Sequence, residues 1–289
     1  MQDNKKAAFY ALTACIIWGT VYVAIKTGLD HGLRPLTFAG TRFLASGLIF
    51  LAITAARGRH GLMWRDLPVL AILGIFQTGI QNALFFYGVE LTGVGVSAIF
   101  INTQPFFVIL LAPLFFKGSG ITARRLSGAA LGFGGVLVTS LGHGAMTGEY
   151  GLGVAALILS ALTWGGSSIA AKKIMKGRAP MAVTAVQMTA GALPLLLAGM
   201  AVEGPPLTEV DATGLAVLGY LVIFATSIPF YLWYKALQAG EVGRVSVFSF
   251  ILPVLGVLSG ALLLGEPLDM NILLGMAMVA AGIVIVNKG

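Results

Sequence analysis

The sequence predicts an all-α membrane protein of ten transmembrane helices, arranged as two inverted five-helix repeats around a central cavity. Three observations predict this fold class. The chain of 289 residues is 57% hydrophobic and only 10% charged, whereas an ordinary soluble domain is about 25% charged. Its apolar residues gather into runs about as long as the roughly 20 residues that a spanning helix needs. The second half of the chain also resembles the first.

Charged residues or turns rich in glycine and proline separate nearly all of these apolar runs. We expect helices, because lipid offers no partner for a free backbone N–H or C=O group. The alternating pattern of a membrane barrel is absent. The ten runs lie at about 7–28, 35–56, 67–89, 94–116, 121–141, 151–171, 180–202, 212–234, 243–264 and 270–287.

The internal repeat is marked by a Trp-Gly dipeptide, at Trp18 in the first run and at Trp164 in the sixth. Further counterparts are Lys26 and Lys172, Gly95 and Gly243, Phe100 and Phe248, and Pro105 and Pro253. We therefore predict a first repeat over 1–142, a linker at 143–150 and a second repeat over 151–289. Because each repeat has an odd number of helices, the second enters the membrane from the opposite side.

The distribution of basic residues predicts the orientation. With a cytoplasmic N-terminus, most of the 18 Lys and Arg residues face the inside, as the positive-inside rule requires. We expect a multi-pass protein of the bacterial inner membrane with both termini in the cytoplasm. The formal net charge of +7 then reflects topology and contact with the lipid bilayer. No nucleic-acid partner is needed to explain it.

Enzyme chemistry is not indicated by the sequence. It contains no His-Glu-x-x-His element, no Walker loop and no Gly-x-Ser-x-Gly element. Its one cysteine, Cys15, lies within a predicted helix. We therefore predict no catalytic residue, no metal and no cofactor. No Asp or Glu lies deep in a predicted span, which favours facilitated export or exchange over obligatory proton antiport.

Arg42 is the one formal charge well inside a predicted span. Burying it costs at least ~2.5 kcal/mol on insertion scales, so it must face a wet cavity or a partner. It either anchors a substrate carboxylate or phosphate through its bidentate fork, or serves structurally by reaching the interface or helix-end carbonyls. Both interpretations are consistent with the sequence.

Polar and aromatic side chains within the spans are the candidate substrate-binding residues. Amides and hydroxyls there either join helices or line a cavity, and the deep tryptophans either stack on a substrate or pack the seam between the halves. The candidates are Trp18, Tyr22, Arg42, Gln77, Gln81, Asn82, Phe100, Asn102, Gln104, Trp164, Ser168, Gln187, Ser227, Tyr231 and Phe248.

Two further features distinguish particular spans. Pro105 and Pro253 occupy matching positions near mid-membrane, where we predict hinges, unless they are kinks kept only for packing. The fifth and tenth spans carry glycines at close spacing, from Gly128 to Gly135 and from Gly275 to Gly282. Such faces suit close helix packing or a dimer contact. We expect a monomer or a weak homodimer.

The order of these features resembles the EamA-type carriers of the drug/metabolite transporter superfamily. The resemblance rests on the Trp-Gly pairs, on PLTFAGTRFLASG at 35–47 and on PVLGVLSGALLLGEPL at 253–268. It implies a basket-like bundle that exports small metabolites, including aromatic amino acids. It also implies a cavity formed by helices three, four, eight and nine with helices one and six, while helices five and ten lie at the periphery.

These observations predict an exporter or exchanger of small metabolites, with amino acids as the leading substrate class, that works by alternating access. An efflux carrier for several cationic drugs is the alternative within transport. Arg42 and the lack of a deep carboxylate argue against it. A membrane enzyme or sensor that transports nothing is the alternative from another class, and the missing catalytic groups argue against that.

Overall fold

A computed structural model of the protein describes residues 2–57, 62–115, 122–141, 148–175, 177–240, 245 and 247–287. These residues form helices joined by turns, and none of them belongs to a strand, which confirms the all-α prediction. The α-helices are α1 (Gln2–Gly19), α2 (Val21–Asp30), α3 (Pro35–Arg57), α4 (Leu67–Gly74), α5 (Gln81–Thr92), α6 (Val94–Ile101), α7 (Gln104–Phe115), α8 (Ala123–Leu141), α9 (Gly148–Ile174), α10 (Pro180–Glu203), α11 (Ala212–Tyr220), α12 (Ile228–Ala239), α13 (Ile251–Leu264) and α14 (Met270–Asn287).

Short π-helices and 3-10 helices connect or precede several of these α-helices. A π-helix at Ile75–Ile80 joins α4 to α5, and a second at Leu221–Ser227 joins α11 to α12. Short 3-10 helices precede α4 at Trp64–Asp66 and α13 at Val247–Phe250. Residues 148–150, predicted as the end of the linker, form the first turn of α9. The rest of the predicted linker, 143–147, lies outside the described residues.

Six helical stretches of the described chain are long and apolar enough to cross a membrane. They are Lys5–Asp30, Pro35–Arg57, Trp64–Thr92, Gly148–Ile174, Pro180–Glu203 and Ala212–Ala239. Shorter apolar helices lie at Val94–Val108, Leu126–Thr139, Ile251–Leu264 and Met270–Gly282. The protein is therefore a multi-pass membrane protein, and each predicted run contains at least one of these helices.

The side chains are arranged for a lipid solvent. Large apolar side chains point outward, and Leu262 and Leu263 are 80% and 70% exposed. Polar side chains are enclosed instead, so that Arg42 is 2% exposed and Gln187 is fully buried. A water-soluble protein of this size shows the opposite tendency. The apolar exterior therefore faces lipid, and the polar groups meet one another inside.

Helices α3 and α10 pack closely against each other. A Cβ atom at Gly40 of α3 would lie 2.7 Å from the Cα of Leu196, and one at Gly47 would lie 2.8 Å from the backbone nitrogen of Thr189. Only glycine allows such an approach of two backbones. Residue numbers rise along α3 as they fall along α10, so the two helices are antiparallel.

Helices α8 and α14 form a second antiparallel pair through their glycine-bearing faces. A Cβ at Gly135 would lie 2.9 Å from the Cβ of Met278, and one at Gly282 would lie 2.8 Å from the backbone nitrogen of Gly132. The two glycine faces noted in the sequence are therefore in contact within one chain. They belong to the fifth and the tenth of the apolar runs predicted from the sequence.

The remaining contacts between the halves also come in matching pairs. Helix α1 packs on α12, and its counterpart α9 packs on α5. Helix α3 contacts the π-helix at Leu221–Ser227, and its counterpart α10 contacts the π-helix at Ile75–Ile80. Each long helix therefore rests on the other half of the chain.

Two glutamates of the second half cap helices of the first half. Glu203 accepts hydrogen bonds from the backbone nitrogens of Leu36 and Thr37, at 2.8 and 2.9 Å, where α3 begins. Glu266 accepts from the nitrogens of Val94 and Gly95, at 2.7 and 2.8 Å, where α6 begins. A carboxylate satisfies otherwise unpaired N–H groups there and complements the helix dipole. Both caps tie the halves together.

The predicted hinge prolines lie where helices begin. The chain turns at residues 102–103, so the predicted run 94–116 is divided into α6 and α7, and Pro105 is the second residue of α7. Pro253 is the third residue of α13, directly after the 3-10 helix. Proline suits the first turn of a helix, because its missing N–H would have no partner within the helix. In both places the break in the α-helix comes before the proline, at the turn 102–103 and at the 3-10 helix Val247–Phe250.

Candidate functional site

A central cavity of about 80 Å³ lies where the two halves meet. Side chains from α1, α2, α3, α5, the α6–α7 turn, α9, α12 and α13 surround it. They are Trp18, Val21, Tyr22, Arg42, Phe43, Gln81, Asn82, Phe85, Ile101, Asn102, Gln104, Trp164, Phe230 and Leu252. The wall is therefore mostly aromatic and aliphatic, with one cation and a few amides. This composition is typical of small-molecule sites.

An aromatic cluster forms one side of the cavity. The rings of Trp18 and Trp164, the two tryptophans of the repeated dipeptide, lie 5.8 Å apart in an edge-to-face arrangement. Phe230 contacts both, at 5.3 Å from Trp18 and 5.7 Å from Trp164. Such geometry stabilises aromatic pairs and leaves ring faces for another apolar group. The repeat thus brings its two Trp-Gly dipeptides to the same surface.

Arg42 projects from α3 into this cavity, and its described partners are neutral. Its Nε donates to the hydroxyl of Thr226 at 2.5 Å, and its Nη2 donates to the carbonyl of Ala225 at 3.1 Å. Its guanidinium carbon lies 5.0 Å from the ring centroid of Phe43. No Asp or Glu occurs among the described residues that line the cavity. The charge is therefore held in place without being neutralised.

The π-helix at Leu221–Ser227 provides the carbonyl that Arg42 uses. In a π-helix the backbone N–H bonds to a carbonyl five residues back, which disturbs the usual ladder and leaves carbonyls for other donors. Side chains occupy them here. Ser227 Oγ donates to Val222 O at 2.8 Å, and Ser46 Oγ also lies 2.9 Å from Val222 O.

The first π-helix has a matching arrangement. Asn82 Nδ2 donates to the carbonyls of Gln77 and Thr78, at 3.2 and 3.1 Å. Asn82 thus bonds five residues back, as Ser227 does in the other half. Since Asn82 also lines the cavity, the π-helix and the cavity wall are linked at this residue.

Three other candidates, Tyr22, Gln81 and Asn102, line the cavity with a phenol or an amide side chain. Gln81 Nε2 donates to Ser160 Oγ at 2.9 Å. Asn102 Nδ2 donates to the Tyr22 hydroxyl at 3.0 Å and to Ala98 O at 2.7 Å. Together with Trp18, Arg42, Asn82, Gln104 and Trp164, these side chains are the candidates that the structure brings together.

The remaining candidates lie elsewhere. Gln77 and Gln187 are buried with Tyr234, whose hydroxyl bonds to both amides. Phe100 is fully buried in the core, Ser227 bonds to its own helix, and Ser168 is enclosed. Tyr231 lies beside Lys235 and Phe248 packs in a second cluster. None of these lines the central cavity.

Sequence reasoning missed several contributors to the cavity. Phe43, Phe85 and Phe230 supply much of its aromatic wall, and Thr226 holds Arg42. Phe43 directly follows Arg42 and Phe230 follows Pro229, but phenylalanine is common in any lipid-facing helix. Only the direction of each side chain, which depends on tertiary packing, identifies these residues.

Known proteins are similar to this chain over nearly its whole length. The EamA-like transporter family matches twice, at residues 5–141 and 151–288. An uncharacterized transporter of Archaeoglobus fulgidus is 30% identical over 287 residues, which cover 98% of this chain and 99% of that protein. An Escherichia coli protein named a probable amino-acid metabolite efflux pump is 31% identical over 294 residues, covering 98% and 95%.

The fold is also found among solved structures. A crystal structure that is 22% identical in sequence superposes with a TM-score of 0.71 and covers 97% of this chain and 96% of that chain. The helical arrangement described above is therefore one that occurs in an experimentally determined protein.

Proposed function

Because this chain belongs to the EamA-like transporter family, we propose that it exports or exchanges small amphipathic metabolites, with amino acids as the leading class. The family and the name of one relative indicate a transporter, which supports the proposal over a membrane enzyme. The single observation that carries the substrate class is Arg42, a buried cation with neutral partners beside an aromatic cavity.

A substrate carboxylate suits this position. Arg42 is already oriented by Thr226 and Ala225 O, so binding costs little further ordering of its side chain. A carboxylate would form charge-assisted hydrogen bonds with the guanidinium and neutralise it. The rings of Trp18, Trp164 and Phe230 would contact an apolar side chain of the same solute. A name given to one relative, amino-acid metabolite efflux pump, agrees with this class.

Transport by alternating access of two inverted repeats is the mechanism that we propose. Two features support the repeat: the family matches each half separately, and counterpart helices pack antiparallel, as α3 does on α10 and α8 on α14. Antiparallel packing of equivalent helices is the arrangement that a two-fold axis in the membrane plane produces. The boundary would lie near 143–150, with both termini in the cytoplasm and the protein in the inner membrane.

Efflux of cationic drugs is the competing function within transport. A cation would have to enter a cavity whose described lining holds Arg42 and no carboxylate. Like charges repel strongly where the dielectric is low. We therefore place anionic and zwitterionic solutes first. In this proposal the transporter is a monomer or a weak homodimer and uses no cofactor and no nucleic-acid partner.

Counterflow in proteoliposomes tests the proposal. The purified full-length protein is reconstituted with a high internal concentration of one unlabelled amino acid, and uptake of the labelled amino acid is followed. We expect uptake of amino acids with apolar or aromatic side chains, and none of a lipophilic dye cation. Exchange of the dye without exchange of any amino acid would reverse the order of the two functions.

A further inference from the structure

Two residues that line the central cavity each have a buried side-chain amide oxygen without a hydrogen-bond partner among the described residues. The two oxygens are Gln81 Oε1 and Asn102 Oδ1. Both residues are 2% exposed and both line the cavity. Buried side-chain acceptors are nearly always paired, so two such atoms on residues that line one cavity indicate that a donor binds beside them.

The orientation of the Gln81 amide is determined by Ser160. Ser160 Oγ donates its one proton to the backbone carbonyl of Gln81 at 2.9 Å. Towards the Gln81 side chain, the same oxygen can then only accept, which requires Nε2 on that side, at 2.9 Å. Oε1 therefore lies on the opposite side of the amide, where no described partner meets it.

The orientation of the Asn102 amide is determined in the same way. Its nearest partner, the carbonyl of Ala98 at 2.7 Å, can only accept, so the amide atom facing it is Nδ2. The Tyr22 hydroxyl lies 3.0 Å from the same nitrogen. Exchanging oxygen and nitrogen would place two acceptors in contact. Oδ1 is therefore the atom left free.

We propose that Gln81 Oε1 and Asn102 Oδ1 bind the ammonium group of a zwitterionic substrate whose carboxylate is held by Arg42. This inference rests on the function proposed above and goes further, since it separates amino acids from simple organic acids. An ammonium group has three donors and no acceptor, and it matches two acceptors that lack donors. Neutral amides provide this match without a buried anion that would pair with Arg42.

The experiment compares two probes that differ only in the amino group, L-phenylalanine and 3-phenylpropionate. Each is exchanged by the full-length protein in proteoliposomes. We expect wild type to prefer phenylalanine, and Gln81→Met and Asn102→Leu each to lower that preference about tenfold or more, as loss of a hydrogen bond to a charged group does. Exchange of phenylpropionate should change less than about twofold, within the scatter of such single contacts.

Gln77→Met is the matched control, because Gln77 precedes Gln81 by four residues on the same membrane-crossing stretch but bonds to Tyr234 away from the cavity. Any effect it has should fall equally on both probes. Elution of each variant as a single monodisperse peak in detergent, together with retained exchange of phenylpropionate, guards against loss of folding.

The outcomes separate the two proposals. Equal losses for both probes in Gln81→Met and Asn102→Leu would overturn the ammonium site while leaving the exporter intact. So would a wild-type protein that exchanges both probes equally well, which would mean that water alone meets these oxygens. A wild-type protein that exchanges neither phenylalanine nor any other amino acid would overturn the proposed function itself.

Discussion

Arg42 shows how a single buried charge can be kept ready for a ligand. Its Nε and Nη2 are bonded to Thr226 and to the Ala225 carbonyl, both in the other half of the chain. These neutral partners fix the direction of the guanidinium but leave its charge uncompensated. Both interpretations offered by the sequence therefore have structural support, since the residue joins helices and also lines the cavity.

Replacing Arg42 should discriminate between substrates by their charge. We expect Arg42→Gln to weaken exchange of free amino acids by about tenfold to a hundredfold, the equivalent of a charge-assisted hydrogen bond worth roughly 1.5–3 kcal/mol. Amino-acid esters, which carry no carboxylate, should be affected far less. Arg42→Lys should restore only part of the loss, because an ammonium group cannot reproduce the planar fork.

These comparisons require correctly inserted protein, which elution as a single monodisperse peak in detergent would establish. Equal losses for an amino acid and its ester would show that Arg42 acts only by joining α3 to the second π-helix.

At this scale the sequence indicates which residue types matter but not where each points. Gln77 and Gln81 are four residues apart, which places them on one face of an α-helix. Gln77 lies within the π-helix at Ile75–Ile80 and Gln81 directly follows it, and a π-helix has more residues per turn than an α-helix. Gln77 consequently meets Tyr234 and Gln81 meets Ser160. A local change in helix type, invisible in composition, separates a buried network from the cavity.

Helical elements and their approximate bounds are well predicted, because long apolar runs allow no other structure in lipid. The interruptions within these helical stretches are not predicted. The π-helices, the turn at 102–103 and the 3-10 helix before α13 replace one backbone hydrogen-bond pattern with another. Pro105, Pro229 and Pro253 mark three such places in the sequence. Those residues indicate that a discontinuity is near without showing that it precedes them.

The carbonyl of Val222 provides a test of how a π-helix is stabilised. Ser227 Oγ donates to it at 2.8 Å, and Ser46 Oγ, which also lies 3.0 Å from Arg42 O, is 2.9 Å away. We expect Ser227→Ala or Ser46→Ala alone to cost about 0.5–1.5 kcal/mol. The double variant should cost more than the sum, because only then is the buried carbonyl left without a side-chain donor.

Thermal unfolding in detergent micelles measures these effects. Thr163→Ala is the matched control, because Thr163 bonds to Leu159 O at 2.8 Å on an exposed helix surface. Its substitution should change stability by less than about 0.5 kcal/mol. Strictly additive losses in the two serine variants would show that water or backbone donors satisfy Val222 O equally well.

At the scale of the whole molecule, the decisive contacts join residues that are far apart in sequence. The packing of α3 on α10, the two glutamate caps and the partners of Arg42 all cross between the halves. The Trp-Gly repeat predicts that the halves are related but not which helix meets which. A single sequence carries no information on such pairs, since they depend on shape and register in three dimensions.

Orientation in the membrane can be tested with single cysteines. The native Cys15 is fully buried, so it should contribute little background. We expect Glu149→Cys and Glu209→Cys to react with an impermeant thiol reagent added outside intact cells, and Arg57→Cys to react only after the membrane is opened. This pattern follows from the positive-inside assignment. Reaction of all three from the same side would exclude the inverted arrangement.

Ion pairs between the halves lie at both ends of the molecule. At one end, Arg178 Nη2 lies 2.6 Å from Asp66 Oδ1. At the other end, Arg34 pairs with Glu209 at 3.0 Å, and His31 with Asp211 at 2.7 Å. The bond to Asp66 raises the pKa of Arg178. The N–H of Gly214 and then His31 hold the pKa of Asp211 below its ordinary range.

If access to the cavity alternates, breaking one of these contacts should open that end selectively. Val21→Cys, at the cavity wall, would report access by its rate of reaction with an impermeant thiol reagent. We expect Arg178→Gln to raise the rate from the cytoplasmic side, and Asp211→Asn with Glu209→Gln to raise it from the outside. The outer pairs of Glu209 and Asp211 are exposed, and exposed ion pairs contribute about 0.2–1 kcal/mol, so changes of up to about fivefold are expected from the outside.

The acid dependence of the outer contact follows from the lowered pKa of Asp211. A carboxylate whose pKa is depressed in the folded protein stabilises it above the ordinary range of that group, and the contribution is lost as pH falls through the depressed value. Lowering the outside pH through the depressed pKa of Asp211 should therefore raise the labelling rate from the outside, as Asp211→Asn does. Asp30→Asn is the control, because Asp30 pairs with Lys26 at 3.0 Å within one helix and does not connect the two halves.

Faster labelling from the same side in both sets of variants, at Arg178 and at Asp211 with Glu209, would contradict alternating access. Each contact would then stabilise the protein generally instead of holding one end closed.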